Sequence, residues 1–141
     1  MKESVSTAIG FAAGVISWLV GGFDTPVLAL VICMSVDYIT GLLVAGVFRT
    51  SPKTEGGGLS SRVGWKGLAR KFATLLIVVI ANLADVLLGQ CCIRDAAVVG
   101  FCANECISIL ENAGCMGIRI PKVVREALEH LNKEEKEHDG T

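Results

Sequence analysis

FATLLIVVIANLADVLLG, Phe72–Gly89, is one of the two clearest apolar stretches of the chain. It is 18 residues without a Pro, broken only by Asn82 and Asp85 in its second half. A helix needs about 20 mostly apolar residues to cross the hydrocarbon core of a bilayer. This stretch, with Lys71 in front, has that length.

Three further segments have similar character. Pro26–Phe48, built around PVLALVICMS, is as apolar as the first. Val5–Phe23 is rich in Gly and Ala. Ala96–Gly114 is more polar. The expected architecture is therefore an all-α integral membrane protein with spans at about 5–23, 26–48, 71–89 and 96–114. The alternative is three spans plus a re-entrant or interfacial fourth helix. Composition agrees: 52% of the 141 residues are hydrophobic and 19% charged, with a mean hydropathy of +0.57. Residues 1–118 form the membrane domain, and 119–141 a tail. A cleaved signal peptide is the competing reading of the N-terminus, but only Lys2 marks a basic leader and no small-residue cleavage site precedes a soluble domain.

Charge is segregated although the net charge is only −1. The loop 49–70, with Lys71 at its edge, holds Arg49, Lys53, Arg62, Lys66, Arg70 and Lys71 against the single acid Glu55. Short loops rich in Lys and Arg stay in the cytoplasm. The turn Asp24–Thr25 has no cation, and QCCIRD (Gln90–Asp95) has one. Both turns should face outward, and both termini inward, with Arg119, Lys122 and Arg125 just beyond the last span. Trp65 suits the interfacial belt. Arg62, Lys66, Arg70 and Lys71 suit anionic headgroups as a cytoplasmic anchor. SPKTEGGGLSSRVG (Ser51–Gly64) reads as a flexible connector. After Pro121, the residues Val123, Val124, Ala127, Leu128 and Leu131 recur at helical spacing, giving a short amphipathic helix and then a solvated end. His130 and His138 read as surface residues.

The polar residues inside the spans carry the functional question. At about 100° per residue, Asn104, Glu105, Ser108, Glu111, Asn112 and Cys115 share one third of the last helix. Lys71, Thr74, Val78, Ala81, Asn82, Asp85 and Gly89 line one face of the third. Asp37 lies mid-span in the second, beside Thr40 and Gly41. Gly10, Ala13, Gly14, Ser17 and Gly21 make a small-residue face on the first, with a GxxxG at Gly10 and Gly14 that allows close helix approach. An ionised carboxylate at mid-bilayer costs about 2.5–3.5 kcal/mol on insertion scales. Asp37, Asp85, Glu105 and Glu111 should therefore face helices, water or each other. Two uses fit: hydrogen-bonded packing between helices, or a surface that lines a water-filled lesion after many copies associate.

Chemistry of other kinds finds little footing. The Gly-rich EGGGLSSR lacks the Lys-Ser/Thr of a phosphate loop. No Ser or Cys nucleophile has a His within the membrane region, so no catalytic residue is assigned. The six cysteines, Cys33, Cys91, Cys92, Cys102, Cys106 and Cys115, have no zinc spacing and read as small apolar residues. No metal or cofactor is expected, and no basic, aromatic-interleaved patch calls for nucleic acid. Four acids in the membrane keep an ion channel, or a proton or heavy-metal transporter, as the alternative.

An ordered series of motifs points to a family. DYITGLLVA (Asp37–Ala45), SSRVGWKGLARK (Ser60–Lys71), Asp85 late in the next span and NECISILENAGCMGIRIPKVVREAL (Asn104–Leu128) together resemble the toxin-secretion/phage-lysis holins. The resemblance implies a protein of the bacterial cytoplasmic membrane that forms homo-oligomers and permeabilises the bilayer. An endolysin, or an exported toxin, then crosses. Under that reading the Asp37–Thr40–Gly41 face and the Gly10–Gly14 face pack helices, and the stripes of the third and fourth spans turn to water in a large assembly.

Overall fold

The computed structural model describes residues 2–127 and 130. Four long helices follow one another: α1 (Lys2–Leu19), α2 (Thr25–Leu43), α3 (Ser61–Leu88) and α4 (Ile93–Cys115). There is no strand among the described residues. Two of the helices, Thr25–Phe48 and Ser61–Leu88, are long and apolar enough to cross a membrane. The apolar part of α1, Glu3–Leu19, is shorter, and α4 carries Arg94, Asp95, Glu105 and Glu111.

Local sequence sets the helix ends. Asp24 caps α2, its Oδ1 accepting from the Val27 N–H at 3.3 Å, and Pro26 occupies the first turn, where a missing N–H costs nothing. At its far end α2 widens into a π-helical turn, Val44–Phe48, and stops at Arg49 with φ +54. Helix α3 begins ten residues before the expected span. The WKGLARK stretch is helical, because nothing from Ser61 to Lys71 breaks a helix and Gly64 and Gly67 are tolerated within it. It ends at Gly89, whose φ of +64 places it in the left-handed region that glycine enters freely.

The connector between α2 and α3 is shorter and more ordered than its composition implies. Ser51 N–H donates to the Gly57 carbonyl at 3.1 Å, and Thr54 Oγ1 to the Gly58 carbonyl at 2.7 Å. Gly57 is required there: its φ is +72, and a Cβ would lie 2.1 Å from the Arg49 carbonyl oxygen. Beyond α4, residues 122–127 are helical, with Val123 and Val124 exposed. Leu128, Leu131 and His138 lie outside the described residues.

Helix α4 packs against α2 and α3, with Val98, Gly100, Ala103 and Asn112 on its buried face. The core joins Val20, Val27, Leu30 and Met34 to Val78 and Val98, with Leu75, Phe101 and Cys102 packed on it. Outward-facing side chains are apolar to a degree unlike a soluble protein. Phe11, Trp18, Ile32, Ile80 and Leu87 are all more than half exposed. Such a continuous apolar skin marks a contact with lipid or other chains. Helix α1 is held chiefly at its C-terminal end. Gly10 and Gly14 have no atom near where a Cβ would sit, so their close-approach face is uncovered within the chain.

Candidate functional site: two polar clusters in an apolar bundle

Three helices each send one charged residue into the same space. Lys71, on α3, donates from Nζ to Asp37 Oδ2 of α2 at 2.8 Å and also to Glu105 Oε2 of α4. All three side chains are nearly buried, at 13% for Lys71 and Asp37 and 15% for Glu105. The charge count assigns Lys71 to the headgroup anchor. Its ammonium instead points inward, because two carboxylates in an apolar bundle attract the nearest cation more strongly than water at the interface does. Arg62, Lys66 and Arg70 remain exposed on the first turns of α3, beside exposed Trp65.

Asn112 completes this cluster about two turns beyond Glu105 on α4. Its Nδ2 donates to Asp37 Oδ1 at 3.1 Å, to Thr40 Oγ1 at 3.0 Å and to the Asp37 carbonyl at 3.3 Å. Thr40 Oγ1 donates in turn to the Asp37 carbonyl at 3.0 Å. The Asp37–Thr40–Gly41 face of α2 is thus occupied within one chain. Asn112 lies in ordinary contact with the space a Cβ on Gly41 would take. A cavity of about 250 Å³ adjoins the cluster, lined by Asp37, Lys71, Glu105 and Ser108 on the bundle side and by Ser51 and Arg70 toward the loop. Asn104 borders the cavity but is exposed, and Glu111 is exposed and makes no hydrogen bond among the described residues. The expected stripe on α4 therefore splits: Glu105, Ser108 and Asn112 turn toward the cavity or the seam, and Asn104 and Glu111 lie at its outer edge.

A second cluster closes the opposite end of the bundle. Asp85 on α3 is 6% exposed. Its two carboxylate oxygens accept from the Ile93 N–H at 3.0 Å and the Arg94 N–H at 2.9 Å. It therefore caps α4 from another helix, filling the role that a side chain at Cys92 does not. Asn82 Nδ2 donates to the Leu19 carbonyl at 3.1 Å, tying down the end of α1. Arg94 donates to the Gly21 carbonyl at 2.7 Å, to Asp95 Oδ1 at 2.7 Å and to Asp24 Oδ2. Asp95 first, and Asp24 after it, raise the guanidinium pKa above its ordinary value against the opposing effect of burial. Gly21 makes room for this: its φ is +80, and a Cβ would lie 2.3 Å from Asn82 Oδ1 and 2.5 Å from Arg94 Nη1.

Sequence reasoning missed Arg94 and Asp24 as members of a site and read Gly21 only as part of the small-residue face of the first span. The available signal was a lone Arg next to Asp95 in a turn otherwise free of cations. Of the four acids, Asp37 and Glu105 meet one another through Lys71, Asp85 belongs to the other cluster, and Glu111 joins neither. Among the described residues, no group of three or more His, Cys, Asp or Glu side chains is arranged to hold a metal ion. No buried side-chain nitrogen or oxygen lacks a hydrogen-bond partner among them.

Comparison with known proteins bears on the whole arrangement. The bacteriophage holin family model matches residues 14–133. The uncharacterized protein Lin0175 of Listeria innocua is 40% identical over 93% of this chain and 91% of its own length. The uncharacterized protein BH0965 of Halalkalibacterium halodurans is 36% identical over 96% of this chain and 98% of its own. A probable holin of Bacillus phage phi105 is 34% identical over 66% of this chain and 64% of the phage protein. No solved structure matches. A match that runs from α1 through both polar clusters and past α4, together with two helices fit to cross a bilayer, makes this chain a membrane protein of the bacteriophage holin family.

Proposed function

We propose that the chain is a working holin of the bacterial cytoplasmic membrane. It spans four times with both termini inside, accumulates, forms homo-oligomers and permeabilises the bilayer. An endolysin or an exported toxin then crosses. The observation that supports this reading best is the cluster of Asp37, Lys71 and Glu105: an apolar-skinned bundle keeps charged groups from three helices inside, on one lysine. Family membership supplies the biological setting.

The cluster suits a protein that must first be harmless and then leak. Paired and hydrogen-bonded, the charges are sheltered from lipid, so small assemblies keep the membrane sealed. If α2, α3 and α4 part in a large assembly, the same groups prefer water and line a lesion. One chain, with a cavity of about 250 Å³, is far too small to pass a folded enzyme, so the lesion needs many copies.

Induced expression in bacteria should stop growth and collapse the membrane potential, followed with a potential-sensitive dye. Retained potential at high membrane levels of the protein would reject the reading. Asp37→Asn and Glu105→Gln should shift the time of lysis while insertion persists. The second reading is a dedicated ion channel or proton transporter, favoured by the cavity against the charged cluster. A steady, ion-selective conductance in planar bilayers, with no abrupt loss of the barrier, would select it.

A further inference from the structure

A feature that neither polar cluster uses lies at the seam between α2 and α4, next to the Asp37–Lys71–Glu105 cluster. Cys33 on α2 and Cys106 on α4 bring their sulfurs to 3.9 Å. Both are half-buried free thiols. Cys102 lies one helical turn before Cys106 on the same side of α4 and packs on the core. The remaining cysteines are elsewhere: Cys91 and Cys92 are exposed in the turn before α4, and Cys115 ends that helix.

We infer that Cys33 and Cys106 form a dithiol that a small peroxide closes into a disulfide, stapling α2 to α4. A disulfide needs about 2.05 Å between sulfurs. The two thiols already face each other from neighbouring helices, so closure asks for side-chain rotation and a slight approach of the seam. The reaction balances with hydrogen peroxide as the two-electron oxidant. One thiol sulfur attacks the O–O bond, giving a sulfenic acid and releasing the other oxygen as water. The second thiol attacks the sulfenic sulfur, the S–S bond forms, and the hydroxyl leaves with the second thiol proton as another water. Buried thiols in apolar surroundings react slowly. The oxidant must therefore be small and uncharged, as hydrogen peroxide is, and the exposed Cys91 and Cys92 will react first.

The staple would have a consequence for activity, and this part rests on the holin reading. The α2–α4 seam carries the Asp37–Asn112 and Thr40–Asn112 hydrogen bonds. A covalent bond across it keeps those helices together, so the oxidised protein should be unable to open its polar face to water.

The test uses the full chain carrying Cys91→Ser and Cys92→Ser, which removes the exposed thiols, reconstituted in dye-loaded liposomes. Samples are treated with hydrogen peroxide or left reduced, blocked with N-ethylmaleimide, digested without reductant and mapped by mass spectrometry. The expected product is one intramolecular peptide pair joining Cys33 to Cys106, lost on reduction with dithiothreitol and missing in a Cys33→Ser chain. Recovery of Cys33 and Cys106 as maleimide adducts after peroxide, or a link from Cys33 to Cys102 in place of Cys106, would overturn the assignment. Dye release reads the consequence separately. The reduced chain should leak, the oxidised chain should lose most of that release, and the Cys33→Ser chain should ignore peroxide. Equal release before and after cross-linking would overturn the regulatory role. A reduced chain that never leaks would count against the holin reading and its regulation, while the peptide map would still decide the dithiol.

Discussion

Lys71 shows how much one residue decides. It is the last of six cations in a basic stretch, and by position it belongs with headgroups. Packing gives it a different task, holding two carboxylates from two other helices. Removing one member of a buried ion pair leaves the others uncompensated and costs about 3–5 kcal/mol. Lys71→Met should therefore destabilise the protein in mixed-micelle unfolding by about that amount, and adding Asp37→Asn and Glu105→Gln should recover a large part of the loss. No recovery in the triple variant would show that the two ion pairs do not set the cost of losing Lys71. Glycines at the same scale divide by their surroundings. Gly21→Ala forces a non-glycine residue to positive φ against Asn82 and Arg94, and should cost at least about 1–3 kcal/mol from the backbone alone. Gly10→Ala meets open space in a helix and should leave thermal stability unchanged or raised. A large loss of stability in Gly10→Ala would show that α1 is covered inside the chain.

At the level of elements, α4 is the helix that depends most on its neighbours. Its first turn is capped by Asp85, eight residues back on α3, and its last turn receives Thr50 Oγ1 on the Cys115 carbonyl at 2.9 Å. An acceptor lost from a helix start costs about 0.5–2 kcal/mol. Asp85→Ala should raise hydrogen exchange at the Ile93 and Arg94 amides while leaving the middle of α3 protected. Asp85→Asn, which keeps one acceptor oxygen, should show a smaller effect; equal exchange in both variants and the parent would exclude the capping role. The same residue explains a limit of pattern reading. Helical periodicity does place Asp85 on the inward face of α3, with Val78 and Ala81. That it would bind backbone N–H groups of the next helix depends on the tight turn after Gly89, which periodicity does not describe.

For the whole molecule, topology is the open prediction. Four spans with the basic loop inside put the turn Gln90–Asp95 outside, and Cys91 and Cys92 are exposed there. A membrane-impermeant maleimide added to intact cells should label these two residues, and it should not label a Thr54→Cys chain at position 54 unless the cells are opened. Labelling at position 54 in intact cells would reverse the orientation or remove a span. The exposed Glu111 belongs to this scale as well. It makes no hydrogen bond within the described chain, so Glu111→Gln should leave the unfolding of the monomer unchanged.

What depends on neighbours along the chain was legible in the residues alone: the helices, the two apolar lengths that suit a bilayer and the uneven basic charge, though not the ten residues by which α3 extends ahead of its expected span. The apolar run that closes at Gly89 and the spacing of Asp37, Thr40 and Gly41 are local signals and were legible; the cap that Asp24 gives to α2 is local too, but it was not read from the sequence. Tertiary structure alone decided the partners. Lys71 meets Asp37 and Glu105 at a separation of 34 residues each way, and Arg94 meets Asp24 across 70. Helical periodicity fixes the face on which a charge stands. Which opposite charge stands across from it is fixed by the order, depth and rotation of packed helices, and those come from side-chain fit over the whole bundle.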